Sequence, residues 1–259
     1  MITSLQNPLV KQIRKLHTPK GRREQGLFLL EGTHLLEEAC AVSYPLETVC
    51  CTLEWQQRHP QLWENVSRQA ERALFVSYNV LQALATTVNP DGIIATARRS
   101  LFQHELKKID LILALETIQD PGNLGTIIRT ATAVGVSGLW MSSDCVDVDN
   151  PKVLRASAGA WFRLPMAVTP DLKREVLYYR QKGVQVIATL ASAQDLYWDI
   201  DYHMPTLILL GNEGAGLSVD LLTLCDKYVR IPLSAGVESL NVAIAAAVIL
   251  YEARRQRQY

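Results

Sequence analysis

A chain of 259 residues can bury a large core, and this length predicts two domains. Its 26 basic and 26 acidic residues cancel, so the net charge does not indicate a polyanionic partner, and its composition is typical of an ordinary soluble globular protein. No apolar stretch is long enough to span a bilayer and the N-terminus lacks a secretory signal, so we expect a cytoplasmic protein. The five cysteines show no metal-type C-x-x-C spacing, so we expect neither zinc nor disulfides.

The first predicted domain covers residues 1–99. Residues 7–20 predict a basic helix with Leu9, Ile13 and Leu16 on one side. Strands near 28–32, 48–52, 74–77 and 93–97 alternate with helices near 35–39 and 61–72, a pattern typical of a small α/β unit. A cluster of cations in this domain is either a solvated face or an RNA phosphate contact. Its members are Lys11, Arg14, Lys15, Lys20, Arg22 and Arg23.

A polar run separates this part from the second predicted domain, with residues 100–108 as the linker and 109–259 as the domain. Residues 111–115 form a continuous apolar strand of the kind that is buried on both faces. A turn at residues 120–123 follows, in which Asn123 is available to cap a helix. That helix carries an apolar stripe and ends at Gly135.

Further strands are predicted near 139–141, 184–189, 207–210 and 229–231, and residues 152–160 predict a helix. A final helix over residues 239–255 is expected to bury Leu240, Ala243, Ile244, Ala247, Val248 and Tyr251. The alternation of strands and helices predicts a parallel α/β sheet with both faces covered.

Two strand ends late in the chain predict a small-molecule site. The apolar strand 207–210 runs into the glycine-rich sequence GNEGAGLS at 211–218, and residues 231–233 precede the sequence ESLN at 238–241. Glycine-rich turns leave backbone N–H groups free and accessible to a ligand. The chain contains neither the G-x-x-x-x-G-K-[ST] motif nor an early G-x-G-x-x-G motif, so P-loop and Rossmann sites are not indicated.

Three blocks of sequence resemble the motifs of the SpoU (TrmH-like) family of RNA ribose 2′-O-methyltransferases, within the SPOUT superfamily. They are DPGNLGTIIR at 120–129, LGNEGAGL at 210–217, and IPL at 231–233 with ESLNVA at 238–243. The small-residue segment ASAGA at 156–160 also resembles the family. Residues 4–8 and 28–32 resemble the family's ribosomal-protein-like RNA-binding module.

The resemblance implies a deep trefoil knot, S-adenosylmethionine as cofactor, structured RNA as partner and a homodimer. The implied catalytic residues are Asn123, Arg129, Glu213, Ser239 and Asn241. The implied cofactor-binding residues are Thr189, Leu209, Gly211, Asn212, Gly216, Ile231 and Leu240. The implied activity is methylation of a ribose 2′-hydroxyl, with ribosomal RNA favoured over transfer RNA.

Plainer roles exist for the catalytic candidates. Arg129 is otherwise a solvated helical arginine, Glu213 an exposed loop acid, and Ser239 and Asn241 residues at a helix start. Because arginine keeps its proton, we expect Arg129 to stabilise a developing alkoxide rather than to act as a base. A non-catalytic RNA-binding relative and an α/β enzyme for another nucleotide remain alternatives.

Overall fold

The computed structural model describes residues 1–99 and 109–258, so the predicted linker at 100–108 lies outside the described residues. The described chain falls into two compact units. The first contains residues 1–99 together with Asp147–Arg163, and the second contains residues 109–146 and 164–258. The segment Asp147–Arg163 therefore groups with the N-terminal residues, although the sequence prediction placed it in the second domain.

The helices and strands are numbered in chain order. The helices are α1 Pro8–Arg14, α2 Pro19–Gln25, α3 Thr33–Ala41, α4 Leu53–Arg58, α5 Pro60–Gln69, α6 Tyr78–Leu84, α7 Pro121–Val134, α8 Pro151–Ser157, α9 Leu172–Gln181, α10 Val219–Leu222 and α11 Val242–Gln258. The strands are β1 Leu27–Glu31, β2 Leu46–Cys51, β3 Ala70–Phe75, β4 Ile93–Arg98, β5 Leu111–Leu115, β6 Gly138–Ser142, β7 Met166–Thr169, β8 Gln185–Thr189, β9 Asp195–Leu196, β10 Thr206–Leu210 and β11 Lys227–Arg230. Short 3₁₀ turns occupy Lys15–His17, Ala160–Phe162 and Tyr197–Asp199.

The first unit is built on a four-stranded sheet in the order β1-β4-β2-β3. Strand β4 runs antiparallel to β1 and β2, whereas β2 and β3 are parallel. The helix predicted over residues 7–20 is divided, because Pro19 cannot continue a helix but is well suited to begin α2. The helix predicted over 61–72 ends at Gln69, and the chain enters β3 at Ala70.

The segment Asp147–Arg163 is held in the first unit by buried charges. The fully buried Arg22 guanidinium donates from Nη2 to Asp147 Oδ2 at 2.8 Å and from Nη1 to the Leu16 carbonyl at 3.0 Å. Arg99 pairs with Asp147 at 2.9 Å and also with Asp149. Burial raises the pKa of Asp149 to about 6, because its desolvation outweighs the attraction of Arg99. Removing one member of such a network leaves an uncompensated buried charge, which costs about 3–5 kcal/mol.

The second unit confirms the predicted parallel sheet. Its strand order is β7-β6-β5-β10-β8-β11-β9, and each neighbouring pair runs parallel. Strands β5 and β10 are buried along their whole length, as their continuous apolar sequences predict. Helices α7 and α11 pack against each other. None of the described helices has the length and apolar character that crossing a bilayer requires.

Helix α7 ends as predicted but begins differently. Gly135 closes it in the left-handed conformation at φ 81°, as the sequence indicates. The cap at its start is Asp120, whose carboxylate accepts the Asn123 backbone N–H at 2.9 Å, so the prediction that Asn123 caps the helix is wrong. Asn123 lies in the first turn of α7, three residues after the cap, and its side chain makes contacts outside the helix instead.

Helix α11 begins at Val242, and its buried side differs from the predicted one. The buried residues are Val242, Ala243, Ala246, Ile249, Leu250 and Ala253. Of the predicted set, Ala243 is buried, whereas Leu240, Ile244 and Tyr251 are exposed. The helix is apolar on two sides, so periodicity alone does not decide which side meets the core.

Candidate active site

Three adjacent strands of the second unit end at one edge of the sheet. In the order β10-β8-β11, they terminate at Leu210, Thr189 and Arg230. Strand β10 returns late in the chain and lies between β5 and β8, so the strand order reverses there. In open parallel α/β sheets, ligands bind outside the carboxyl ends of the strands at such a switch point.

A pocket of about 310 Å³ lies at this edge. This volume is at the lower end of the range of roughly 300–1,000 Å³ found for small-molecule sites. Apolar walls are supplied by Leu190, Leu233, Leu240, Val242 and Ala245, and polar groups by Thr189, Asn212, Glu213, Arg230, Ser239 and Asn241. The mixture of apolar walls and a few polar side chains is typical of a site that orients a small organic ligand.

The glycine loop after β10 requires glycine at two positions. A Cβ atom on Gly211 would lie 2.3 Å from the Gly216 carbonyl carbon and 2.5 Å from the Leu217 nitrogen, closer than non-bonded atoms can approach. Gly216 adopts φ +72°, a conformation that favours glycine. Reciprocal backbone hydrogen bonds of 3.0 Å between Asn212 and Gly216 close the loop.

A hydrogen-bonded relay joins three of the predicted catalytic side chains. Asn241 Nδ2 donates to Asn123 Oδ1 at 2.8 Å, and Asn123 Nδ2 donates to Glu213 Oε1 at 2.9 Å. Desolvation tends to raise the pKa of Glu213, but the hydrogen bond from Asn123 and those from backbone N–H groups outweigh it and leave the pKa lowered. The relay therefore holds an ionised carboxylate at the pocket.

The orientation of both amides in the relay is fixed by groups at its two ends. Asn241 Oδ1 accepts the backbone N–H of Ala243 at 2.9 Å, so its Nδ2 must face Asn123. The Glu213 carboxylate can only accept at neutral pH, so Asn123 must present its Nδ2 to it. The chain of donors thus has one direction, from the start of α11 to the glycine loop.

The structure places most of the predicted site residues at the pocket. Those that line it are Thr189, Gly211, Asn212, Glu213, Gly216, Ile231, Ser239, Leu240 and Asn241. Leu209 does not line the pocket: it is buried in β10, where its carbonyl accepts the Thr189 hydroxyl at 3.3 Å. Asn123 joins the site through the relay. Arg129 is exposed on α7, six residues after Asn123 and thus about 9 Å further along the helix axis.

Sequence reasoning missed Arg230 and the apolar residues Leu233, Val242 and Ala245, which also line the pocket. Arg230 is the last residue of β11 and directly precedes the motif at 231–233, so its position next to that motif was the available signal. Leu233 and Val242 lie within the motif blocks at 231–233 and 238–243, which was their signal, whereas Ala245 resembles an ordinary core position and carried none. No group of three or more His, Cys, Asp or Glu in the part of the chain that the structure describes could hold a metal.

The cation cluster of the first unit is mostly exposed, with one correction. Lys11, Arg14, Lys15, Lys20 and Arg23 are all exposed to solvent. Arg22 is completely buried and bound to Asp147 and backbone carbonyls, so its prediction as an RNA contact is wrong. The cluster that can meet a phosphate therefore contains the five exposed residues.

The fold and the pocket together define a methyltransferase of the SPOUT class. The sequence model of the SpoU rRNA methylase family matches residues 110–251, and that of the MRM3-like substrate binding domain matches residues 7–95. The chain belongs to the SpoU rRNA methylase family. Membership implies the trefoil knot expected from the resemblance.

Similar proteins match along nearly the whole chain. A 23S rRNA (guanosine-2′-O)-methyltransferase of Bacillus subtilis, RlmP, is 33% identical over 98% of this chain and 98% of its own. An uncharacterized tRNA/rRNA methyltransferase of Synechocystis is 49% identical over 99% of this chain and 94% of its own. Among solved structures, the AdoMet-bound rRNA methyltransferase of Sinorhizobium meliloti is 33% identical and covers 98% of this chain and 97% of its own, with a TM-score of 0.86.

Proposed function

We propose that the protein transfers the methyl group of S-adenosylmethionine to a ribose 2′-hydroxyl of ribosomal RNA. The observation that carries the proposal is the pocket at the switch point, with the relay of Asn123, Glu213 and Asn241 beside it, in a member of the SpoU family. The name of the Bacillus subtilis relative supports a 2′-oxygen in 23S rRNA as the methyl acceptor. An rRNA substrate favours a cytoplasmic location.

The residues present at the pocket fit this cofactor. The absence of a side chain at Gly211 lets the backbone of Gly216 and Leu217 approach it closely, which shapes the loop that lines the pocket, and Ile231 and Leu240 offer apolar contact. The Glu213 carboxylate supplies negative charge beside a cationic sulfonium. S-adenosylmethionine, when bound, supplies an activated methyl group, and the protein has to align the acceptor oxygen with it.

The acceptor hydroxyl is a weak nucleophile, so the site must favour its ionised form. We assign this role to Arg129, which is on the same helix as Asn123 and has an exposed side chain free to meet a substrate. An arginine does not give up its proton at neutral pH and therefore stabilises the alkoxide through charge and hydrogen bonding. The proton passes to water or to an RNA phosphate.

RNA binding is assigned to the exposed cations of the first unit, in the region that matches a substrate binding domain. Lys11, Arg14, Lys15 and Arg23 form no ion pair with any described residue, and Lys20 has only a distant partner, Glu24, at 3.7 Å. Unpaired exposed cations can neutralise phosphates and release their counterions. Charge reversal at Lys11 and Lys15 should raise the KM for RNA and flatten its salt dependence, whereas reversal at the exposed Lys227 of β11 should not.

A homodimer is proposed on the basis of helix α11. Ile244 and Tyr251 are 51% and 54% exposed, and the half-buried Ala247 and Val248 lie between them on the same side of the helix. An apolar stripe of this length on a surface helix is typical of an interface. Sedimentation of the wild type should give a dimer, and Ile244→Glu should give a monomer. A monomeric wild type would contradict this part of the proposal.

The activity is tested with tritiated S-adenosylmethionine and rRNA from cells that lack the gene. We expect label in 23S rRNA and an alkali-resistant dinucleotide, which marks a 2′-O-methyl group. Label confined to tRNA would identify the other substrate class. Calorimetric binding of the cofactor without transfer to any RNA would identify a non-catalytic relative, and absence of binding would refute the proposal.

A further inference from the structure

Thr117 has a strained backbone close to the site. It follows β5 by two residues and adopts φ +56°, in the left-handed region that β-branched residues strongly avoid. Residues are held in this conformation only where the surrounding structure imposes it, and such residues cluster at functional sites. Thr117 was not singled out in the sequence because threonine gives no signal for this conformation.

Hydrogen bonds to the last residue of β6 and to the loop after it impose the conformation. The Thr117 backbone N–H donates to Ser142 Oγ at 2.9 Å, and its hydroxyl donates to Asp144 Oδ2 at 2.6 Å. The Ser142 hydroxyl donates to the other carboxylate oxygen of Asp144 at 2.5 Å. These hydrogen bonds lower the pKa of Asp144, so the carboxylate is an ionised acceptor at neutral pH. Thr117, Ser142 and Asp144 are called the brace.

The remaining polar group of Thr117 points to the glycine loop. Its carbonyl accepts a hydrogen bond of 2.8 Å from Asn212 Nδ2. The other end of that amide, Asn212 Oδ1, accepts the backbone N–H groups of Gly214 and Ala215, both at 2.9 Å. Asn212 therefore shapes the turn that carries Glu213, and its own orientation is set by the carbonyl of Thr117.

We propose that Thr117 is a positioning residue for methyl transfer: anchored by Asp144, it orients Asn212 and thereby holds Glu213 against Asn123. The inference rests on the proposed function, because methyl transfer is the reaction that the fixed carboxylate would serve. A change of φ at Thr117 would swing its carbonyl away from Asn212, and the Glu213 carboxylate would lose its fixed place against Asn123. The brace thus acts on the relay without contacting the pocket itself.

The test compares hydroxyl deletions within and outside the brace. Thr117→Val keeps the shape but removes the donor, Thr117→Ser keeps the donor, and Asp144→Asn, at an exposed position, weakens the acceptor with little risk to folding. Thr223→Val is the matched control, since Thr223 donates at 2.8 Å to the Asp220 carbonyl elsewhere in the same unit. We expect Thr117→Val and Asp144→Asn to lower kcat at least tenfold, with cofactor affinity within threefold, and Thr117→Ser and Thr223→Val to remain close to wild type.

A second readout separates positioning from general stability and does not need turnover. The carboxyl carbon of Glu213, followed by NMR during a pH titration, should report a raised pKa in Thr117→Val and Asp144→Asn because the hydrogen bond from Asn123 is weakened. An unchanged Glu213 titration in both variants overturns the proposal, whatever their activity. If the titration shifts but the wild-type protein methylates no RNA, the coupling stands and the proposed function fails.

Discussion

Replacing Asn241 by aspartate separates the two roles of its side chain, which caps α11 and donates a hydrogen bond to Asn123. Its Oδ1 caps α11 by accepting the backbone N–H of Ala243 at 2.9 Å and of Ile244 at 3.3 Å, and its Nδ2 supplies the relay. Aspartate is as good a cap as asparagine, and its charge is favoured at a helix N-terminus by about 0.3–1 kcal/mol. The cap should therefore be retained in this variant, and any loss of stability should come from the relay.

The relay, by contrast, loses its direction in this variant. Two acceptors, the new carboxylate at position 241 and that of Glu213, would then compete for the single amide group of Asn123, so one hydrogen bond to a charged group is lost. Such a bond contributes about 1.5–3 kcal/mol. Because the site is partly exposed, we expect the lost hydrogen bond to cost only about 1–2 kcal/mol of the activation free energy. Since each 1.36 kcal/mol is tenfold in rate, kcat should fall about five- to thirtyfold.

The assay measures single-turnover methyl transfer and thermal unfolding for Asn241→Asp, Asn241→Ala and the control Asn150→Asp. Asn150 caps α8 in the first unit by accepting the Lys152 backbone N–H at 2.8 Å, so the control makes the same change at a cap outside the relay. Asn241→Ala should lose activity and also about 1 kcal/mol of stability, or about 2–4 °C in Tm. A rate within twofold of wild type for Asn241→Asp would refute the relay.

Variants at three other positions test the proposed role of Arg129, the glycine loop at Gly211 and the buried carboxylate of Asp149. Arg129→Ala should lower kcat at least about a hundredfold while the cofactor Kd stays within threefold by calorimetry, because the arginine acts on charge that develops only in the transition state; wild-type turnover would remove the assignment. Gly211→Ala should abolish cofactor binding, since its Cβ would lie 2.3 Å from the backbone of the glycine loop and distort it. Gly214→Ala should bind the cofactor normally, because its Cβ would only touch a side chain at 3.7 Å. Equal affinities of the two variants would show that the glycine loop is not the binding surface. Asp149 has a pKa of about 6 in the folded protein against roughly 3.9 in the unfolded chain, so its contribution to stability is lost as the pH rises from about 4 through 6, by about 1.4 kcal/mol per pH unit. The free energy of unfolding of Asp149→Asn relative to wild type, measured with urea, should therefore rise with pH over that range. A pH-independent difference would contradict this prediction.

The second sheet and its late glycine loop were predictable because their signals are local. Residues 111–115 and 207–210 are continuously apolar, which is what a strand buried on both faces requires, and they became β5 and β10. Gly135 ended α7 as expected, for the same local reason. The pocket followed from these signals, because parallel strands bring their carboxyl ends to one edge.

The features that the sequence did not predict depend on contacts between residues distant in sequence. Arg22 looks like its cationic neighbours, and only the partner Asp147, 125 residues later, explains its burial. The relay joins Asn123 to residues 90 and 118 positions away, so no sequence window contains it. Ile244 and Tyr251 have the apolar character of core residues, and sequence periodicity does not distinguish a core from an interface.

The grouping of Asp147–Arg163 with the N-terminal residues limits how this chain can be divided. A fragment that stops after residue 99 would contain Arg22 and Arg99 but not their acidic partners, and it would lack Trp161, whose ring packs 5.0 Å from that of Phe28. During synthesis, the N-terminal unit cannot complete its packing until the ribosome has added residue 163. The N-terminal unit therefore cannot be separated at residue 99, and fusions that exchange it must carry both stretches of the chain.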